Sequence, residues 1–114
     1  MNVEKIKSAI REFRDARDWM QFHNPKNMAI SISLEASELL EHFQWTTPEE
    51  SETVLTKKRS EIESEIADIA IYLIEFCDNS GIDLEKAILE KLQENDRKYP
   101  AEKAKGSAKK YTEL

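Results

Sequence analysis

The sequence predicts an all-α protein: a four-helix-bundle-like subunit that assembles with copies of itself. Three observations carry this expectation. The 114 residues include only two glycines and three prolines, too few sharp turns for a β-rich domain of this length. Apolar residues recur at three-, four- and seven-residue intervals through most of the chain. Pro25, Pro48, Gly81 and Pro100 fall between the periodic segments, with Gly106 in the tail, where helix boundaries are expected.

The first helix is expected over about 3–20, where Val3, Ile6, Ile10, Phe13 and Met20 form one stripe. Asn24 reads as the cap of a second helix, about 25–44, with Pro25 at its first position, where the missing N–H costs nothing. Within it Ile30 to Leu34 alternate like a strand, but Ile32, Ala36, Leu39, Leu40 and Phe43 continue a helical stripe. Thr47 and Glu50 read as a capping box that opens a short helical turn. A third long helix is expected over about 57–80, stopped by Gly81. Its seam is Ile62, Ile66, Ile69, Leu73 and Phe76, with Ala67, Ala70, Ile71 and Ile74 on its other faces. A helix so widely apolar needs more than one neighbour, which points to a second subunit. Asp83 caps a last helix, about 83–99, with Leu84, Ala87, Ile88, Leu92, Asn95 and Tyr99 on one stripe. The organisation expected is one helical domain, 1–100, and a basic tail, 101–114.

Acids outnumber bases 23 to 17, so the chain lacks the basic footprint of a nucleic-acid-polymer binder. The charge is unevenly placed. Residues 35 to 68 carry ten acids and three bases, whereas residues 98 to 114 carry five bases and two acids. Cys77 is the single cysteine, so there is no intramolecular disulfide and no zinc-like spacing. No apolar run approaches the roughly 20 residues of a membrane span, and the opening residues lack a signal-peptide core. Cytoplasmic residence and no membrane partner are the expectation.

Glu35 and Glu38 stand at i and i+3 on the second helix, and Glu65 and Asp68 repeat that spacing on the third. Each pair flanks an apolar stripe, so packing the two helices brings four carboxylates face to face. Such a cluster either takes up protons or binds a cation. Hard oxygen donors without a nearby His or Cys favour Mg2+, with Mn2+ as a substitute, and thereby phosphate chemistry. Solvated faces give E-x-x-E pairs as well, but two pairs beside apolar stripes on consecutive helices point to a site. Aromatics are a second signal: Trp19, Phe22, His23, Phe43, Trp45 and Tyr72 fall near helix ends or on the carboxylate flank. Flat side chains beside a metal site suit stacking on a nucleobase, although core packing accounts for Phe13, Phe43 and Phe76.

Glu35-Ala36-Ser37-Glu38, followed after 26 residues by Glu65-Ile66-Ala67-Asp68, resembles the E-x-x-E…E-x-x-D pattern of MazG-type all-α nucleoside triphosphate pyrophosphohydrolases. The resemblance is greatest to the small dCTP pyrophosphatase-like branch. It extends over Arg17-Asp18-Trp19, Gln21-Phe22-His23, Glu41-His42-Phe43-Gln44-Trp45, Ile71-Tyr72-Leu73, Arg97-Lys98-Tyr99-Pro100 and the Lys105-to-Leu114 tail, nearly the whole chain.

The resemblance implies Mg-dependent hydrolysis of a (deoxy)nucleoside triphosphate to the monophosphate and pyrophosphate, in a homodimer or tetramer. By position, Glu35, Glu38, Glu65 and Asp68 would hold the metal, and Glu38 or Glu41 would accept the proton of the attacking water. Trp19, Phe22, His23, Trp45 and Tyr72 would line the nucleotide pocket. Asn95, polar on an apolar stripe, is a further pocket candidate, or a residue that fixes helix register. The basic tail would close over the phosphates. Two positions depart from the pattern. Ser64 stands where many members have a second Glu, which implies a differently arranged second metal or base. Ile10 stands where cytosine-preferring relatives often carry a His, which implies a broader dNTP range. Two non-enzymatic readings stay open at this level: a helical oligomerisation or adaptor module, and a nucleotide-binding sensor without turnover.

Overall fold

The structure, a computed structural model, describes residues 1–114 and contains helices and no strand. Its first helix, α1, runs from Val3 to Asp15, opened by the Asn2 side chain, which accepts the Lys5 N–H. It ends before the expected Met20. The Arg14 carbonyl accepts the N–H groups of both Arg17 and Trp19, and Asp18 turns into the left-handed region at φ 55°. Asp tolerates that conformation because its short polar side chain bonds locally; here both its carboxylate and its carbonyl accept from Gln21. A 3-10 turn, Met20–Phe22, follows.

The second helix, α2, spans Pro25–Glu41, capped by Asn24, whose side chain accepts the Asn27 N–H at 2.9 Å. The strand-like alternation at Ile30–Leu34 is helical: it lies inside α2, with Met28 in the first turn fully buried and Ile30 and Leu34 exposed. The helix stops three residues before the expected Gln44, since His42 and Phe43 donate to the i−3 carbonyls of Leu39 and Leu40 and tighten the chain into turns. Beyond it the expected short turn is a full helix, α3, Pro48–Lys57, with Thr47 accepting the Glu50 N–H. Lys58 leaves the helical conformation, so the next helix, α4, begins at Arg59 rather than Lys57 and runs to Ser80. Gly81 ends it in the left-handed conformation, φ 68°, which costs a residue without Cβ little.

Residues Met1–Gly81 form one compact unit, with α4 at its centre and α1, α2 and α3 packed against it. The buried face of α4 departs from the expected seam. Ile62 is buried, but Ile66 and Leu73 are exposed, and Ile74, Glu75 and Cys77 are buried instead. The α1 stripe likewise buries Ile10 and leaves Phe13 exposed, where Arg17 stacks on the Phe13 ring at 3.8 Å.

Residues Ile82–Leu114 form the second unit. Asp83 caps a helix, α5, Leu84–Lys98, by accepting the Lys86 N–H. A four-residue helix, α6, Ala101–Ala104, and a 3-10 turn, Tyr111–Glu113, complete it. Tyr111 folds back edge-on to Tyr99, ring centres 6.0 Å apart, and under the Lys98 ammonium. No helix of either unit is long and apolar enough to cross a membrane.

Candidate active site

The packing of α2 along α4 decides which carboxylates meet. Glu35 and Glu38 project one turn apart from α2, and Glu65 comes from α4; oxygens of the three lie within 4.8 Å of one another. Oε2 of Glu35 and Oε2 of Glu65 are buried without any hydrogen-bond partner. Burial pushes the Glu35 carboxyl up to about 7, and the adjoining Glu38 carboxylate and the charges of Asp68 and Glu65 add to the effect. Glu65 is raised for the same reasons, burial first and Glu38 next. Asp68, one turn beyond Glu65, acts on Glu35 through its charge but lies outside the three-oxygen cluster.

The expectation of no imidazole near these carboxylates is corrected. His42, just past the end of α2, places Nε2 3.7 Å from Glu65 Oε1. It opposes the rise at Glu65 without satisfying the two orphaned oxygens. Ionised carboxylates only accept hydrogen bonds, so buried unpartnered ones crowded by like charge need a proton or a cation. The oxygen-rich donor set fits a divalent metal ion, and a hard one.

The aromatic candidates do not form one group. His23 and Tyr72 meet edge-on, ring centres 6.5 Å apart, and Trp19 lies 6.5 Å from His23 and 5.7 Å from Phe13. Tyr72 stands between the acidic cluster and this aromatic end. Its hydroxyl is held above its ordinary range by burial first, then by the charges of Glu35, Asp68 and Glu75. Phe22 is exposed, and its carbonyl accepts from Asn27 Nδ2. Trp45 is 88% exposed beyond the opposite end of α2, a helix of 17 residues and so roughly 25 Å long. Trp19 and Trp45 of one chain therefore lie at opposite ends of α2. Glu41 is the exposed last residue of α2, and Asn95 is half-buried in α5 of the second unit.

Beside the aromatics, His23 Nδ1 lies 2.6 Å from Oε2 of Glu75, which is only 3% exposed. Asn79 Nδ2 donates to the same oxygen at 3.0 Å, and Arg14 Nη1 donates to Asn79 Oδ1 at 3.0 Å. His23 and Asn79 also line a cavity of about 270 Å³ with Met20, Met28 and Phe76 among its other walls.

A family model described as MazG-like matches residues 30–114, three quarters of the chain and both acidic motifs. The chain belongs to the MazG-like family. It is 39% identical over 114 residues to dCTP pyrophosphatase 1 of Homo sapiens, a match that covers 98% of this chain and 67% of the human protein. The Bos taurus protein of the same name is also 39% identical, with 68% of it covered. A pyrophosphatase from Archaeoglobus fulgidus has a similar crystal structure, with a TM-score of 0.85 and 46% identity over 88% of this chain and 94% of that one.

Within this MazG-like chain, sequence reasoning missed His42 and Glu75. Glu75 had a signal: it is a single charge inside the run Leu73-Ile74-Glu75-Phe76-Cys77, where a buried acid must find partners. His42 follows Glu38 by one helical turn, the spacing of a shared face.

Proposed function

We propose that this chain is a Mg2+-dependent pyrophosphohydrolase of deoxynucleoside triphosphates, dCTP among them, producing the monophosphate and pyrophosphate. The observation that carries the reading is the meeting of Glu35, Glu38 and Glu65 with two buried oxygens left unpartnered, in a MazG-like chain whose relatives are named dCTP pyrophosphatase. Glu35, Glu38, Glu65 and Asp68 would hold the cation, Mg2+ by preference and Mn2+ in its place, because their oxygens are hard donors. Held by those residues, such a cation would offset the charge of the triphosphate and polarise the phosphorus under attack.

The chain's own side chains do the rest. Glu38 at the exposed rim, or Glu41 one turn further along the same face, accepts a proton from the attacking water as its oxygen bonds to phosphorus and pyrophosphate leaves. Trp19, Phe22, His23 and Tyr72 face the base side, with Asn95 a further candidate. Trp45 serves the pocket of a second copy, since it lies a helix length from Trp19. The exposed Ile30 and Leu34 of α2 and Ile66 and Ile71 of α4 give that copy an apolar surface to cover, in a homodimer or tetramer.

Two measurements test this. Pyrophosphate release across a panel of common and modified NTPs and dNTPs, with and without Mg2+, should show metal-dependent turnover with dNTPs; no release from any of them overturns the reading. The mass in solution at micromolar concentration should be that of a dimer or larger, and a monomer contradicts the shared pocket.

A further inference from the structure

Resting on that reading, we infer that Glu75 is a positioning residue: it fixes the His23 ring so that Nε2, rather than Nδ1, is the nitrogen offered to the nucleotide base. The hydrogen-bond chain is determined from its far end. Arginine has no acceptor, so Asn79 must turn Oδ1 to Arg14 Nη1, 3.0 Å away. Its amide nitrogen then faces Glu75 and donates to Oε2 at 3.0 Å. Oε2 is thereby an acceptor, and the His23 nitrogen 2.6 Å from it carries the proton. His23 is thus held with a proton on Nδ1, and Nε2 has no hydrogen-bond partner within the chain.

The surroundings of His23 say what Nε2 meets. The cavity of about 270 Å³ that His23 lines is walled by Met20, Met28 and Phe76 and by the polar Gln21, Asn24, Asn79 and Ser80, and the Asn79 amide is already committed on both sides. Mostly apolar walls beside an unpartnered imidazole nitrogen suit a flat heterocycle. A triphosphate belongs at the other end, where carboxylates cluster. Glu75 does not line the cavity and is 3% exposed, so it acts through His23.

The test begins with the unmodified protein. Nitrogen-15 NMR of the imidazole rings should show the His23 proton on Nδ1, and addition of a non-hydrolysable dNTP analogue should shift Nε2. A neutral ring with its proton on Nε2 overturns the inference, whether or not any variant folds. In kinetics, Glu75→Met should raise KM for dNTPs about five- to tenfold, the scale of one hydrogen bond. It should leave kcat and inhibition by inorganic triphosphate near normal. Glu75→Gln, which keeps an acceptor, should recover most of the loss. A Glu75→Met protein that melts earlier with unchanged KM, or shows the same KM rise in a His23→Ala background, makes Glu75 merely structural. Absence of pyrophosphate release by the unmodified protein sinks the proposed function instead, and the NMR result still decides the role of Glu75.

Discussion

Glu35 on α2 and Glu75 on α4 are both withdrawn from solvent in the same helical unit, and they are treated in opposite ways. Glu75 accepts from His23 and Asn79 on one oxygen, with Arg14 4.0 Å away. Glu35 meets Glu38 and Glu65, keeps an orphaned oxygen, and is pushed up to about 7 by burial and by its acidic neighbours. A buried acid supplied with donors holds structure in place. One deprived of donors and crowded with like charge is incomplete by itself, and a proton or a cation completes it. Tyr72 lies between them and senses both charges.

The largest expected effect breaks the incomplete side of this comparison. Glu38→Gln and Asp68→Asn should each reduce turnover by about 100-fold or more, since even residues behind a metal's ligands typically cost 10- to 100-fold. Glu38 is exposed and Asp68 half-buried, and neither belongs to the core, so circular dichroism should report unchanged helix content. Near-normal activity in Glu38→Gln would remove that residue from the mechanism.

The next effect concerns the aromatic ends. Stacking on a base is worth about 1–3 kcal/mol, so Trp45→Ala or Tyr72→Ala should weaken nucleotide use by roughly 5- to 150-fold. Inorganic triphosphate, which has no base, should inhibit both variants as it does the parent. The two should part in melting temperature: Trp45 is 88% exposed, so its loss should leave Tm unchanged, whereas half-buried Tyr72 should lower it. A fall in Tm with equal damage to every ligand would assign either residue to packing alone. A smaller consequence is base choice. Ile10 is buried in the face of α1 against the core, so the position offers the pocket no hydrogen bond. Preference for dCTP over dATP and dTTP should stay below about 100-fold, and a larger ratio in a kcat/KM comparison would refute that.

Local rules carried the reading of the fold as far as local rules reach. Asn24, Thr47 and Asp83 were legible as caps because a cap needs only the side chain and the N–H three residues on. The i, i+3 spacing made Glu35 and Glu38 partners, and the same spacing on α4 pointed Glu65 toward them. The end of α1 was not legible, because it depends on Asp18 adopting a left-handed conformation held by Gln21. Nor was the buried face of α4, where Ile74 is chosen over Ile66: periodicity gives candidate stripes, and the neighbours select among them. Glu75 finds His23 across 52 residues, a pairing that no spacing rule encodes.

The smallest effect sharpens the comparison most, because it predicts opposite signs for the same chemical change. An unfolded chain releases the Glu35 proton near the ordinary 4.5, whereas the folded, metal-free protein keeps it up to about 7. Between those values the folded state binds more protons, so metal-free stability should fall as pH rises from about 4.5 to 7 and level off above. A divalent cation takes the place of the proton, so Mg2+ should raise Tm at pH 8 and do progressively less as pH falls below 7. Glu35→Gln removes the ionisation: its metal-free Tm at pH 8 should exceed that of the parent, its slope between pH 5 and 7 should flatten, and Mg2+ should stabilise it less. Glu75→Gln makes the same substitution where the carboxylate is satisfied, and the weakened bonds to His23 and Asn79 should cost about 1–3 kcal/mol. For a chain of 114 residues, where each kcal/mol is worth roughly 4 °C or more, that lowers Tm by at least about 4 °C. Scanning calorimetry of both variants without metal at pH 8 separates the cases. If Glu35→Gln melts below the parent, the acidic cluster is held by partners of its own and the contrast with Glu75 fails.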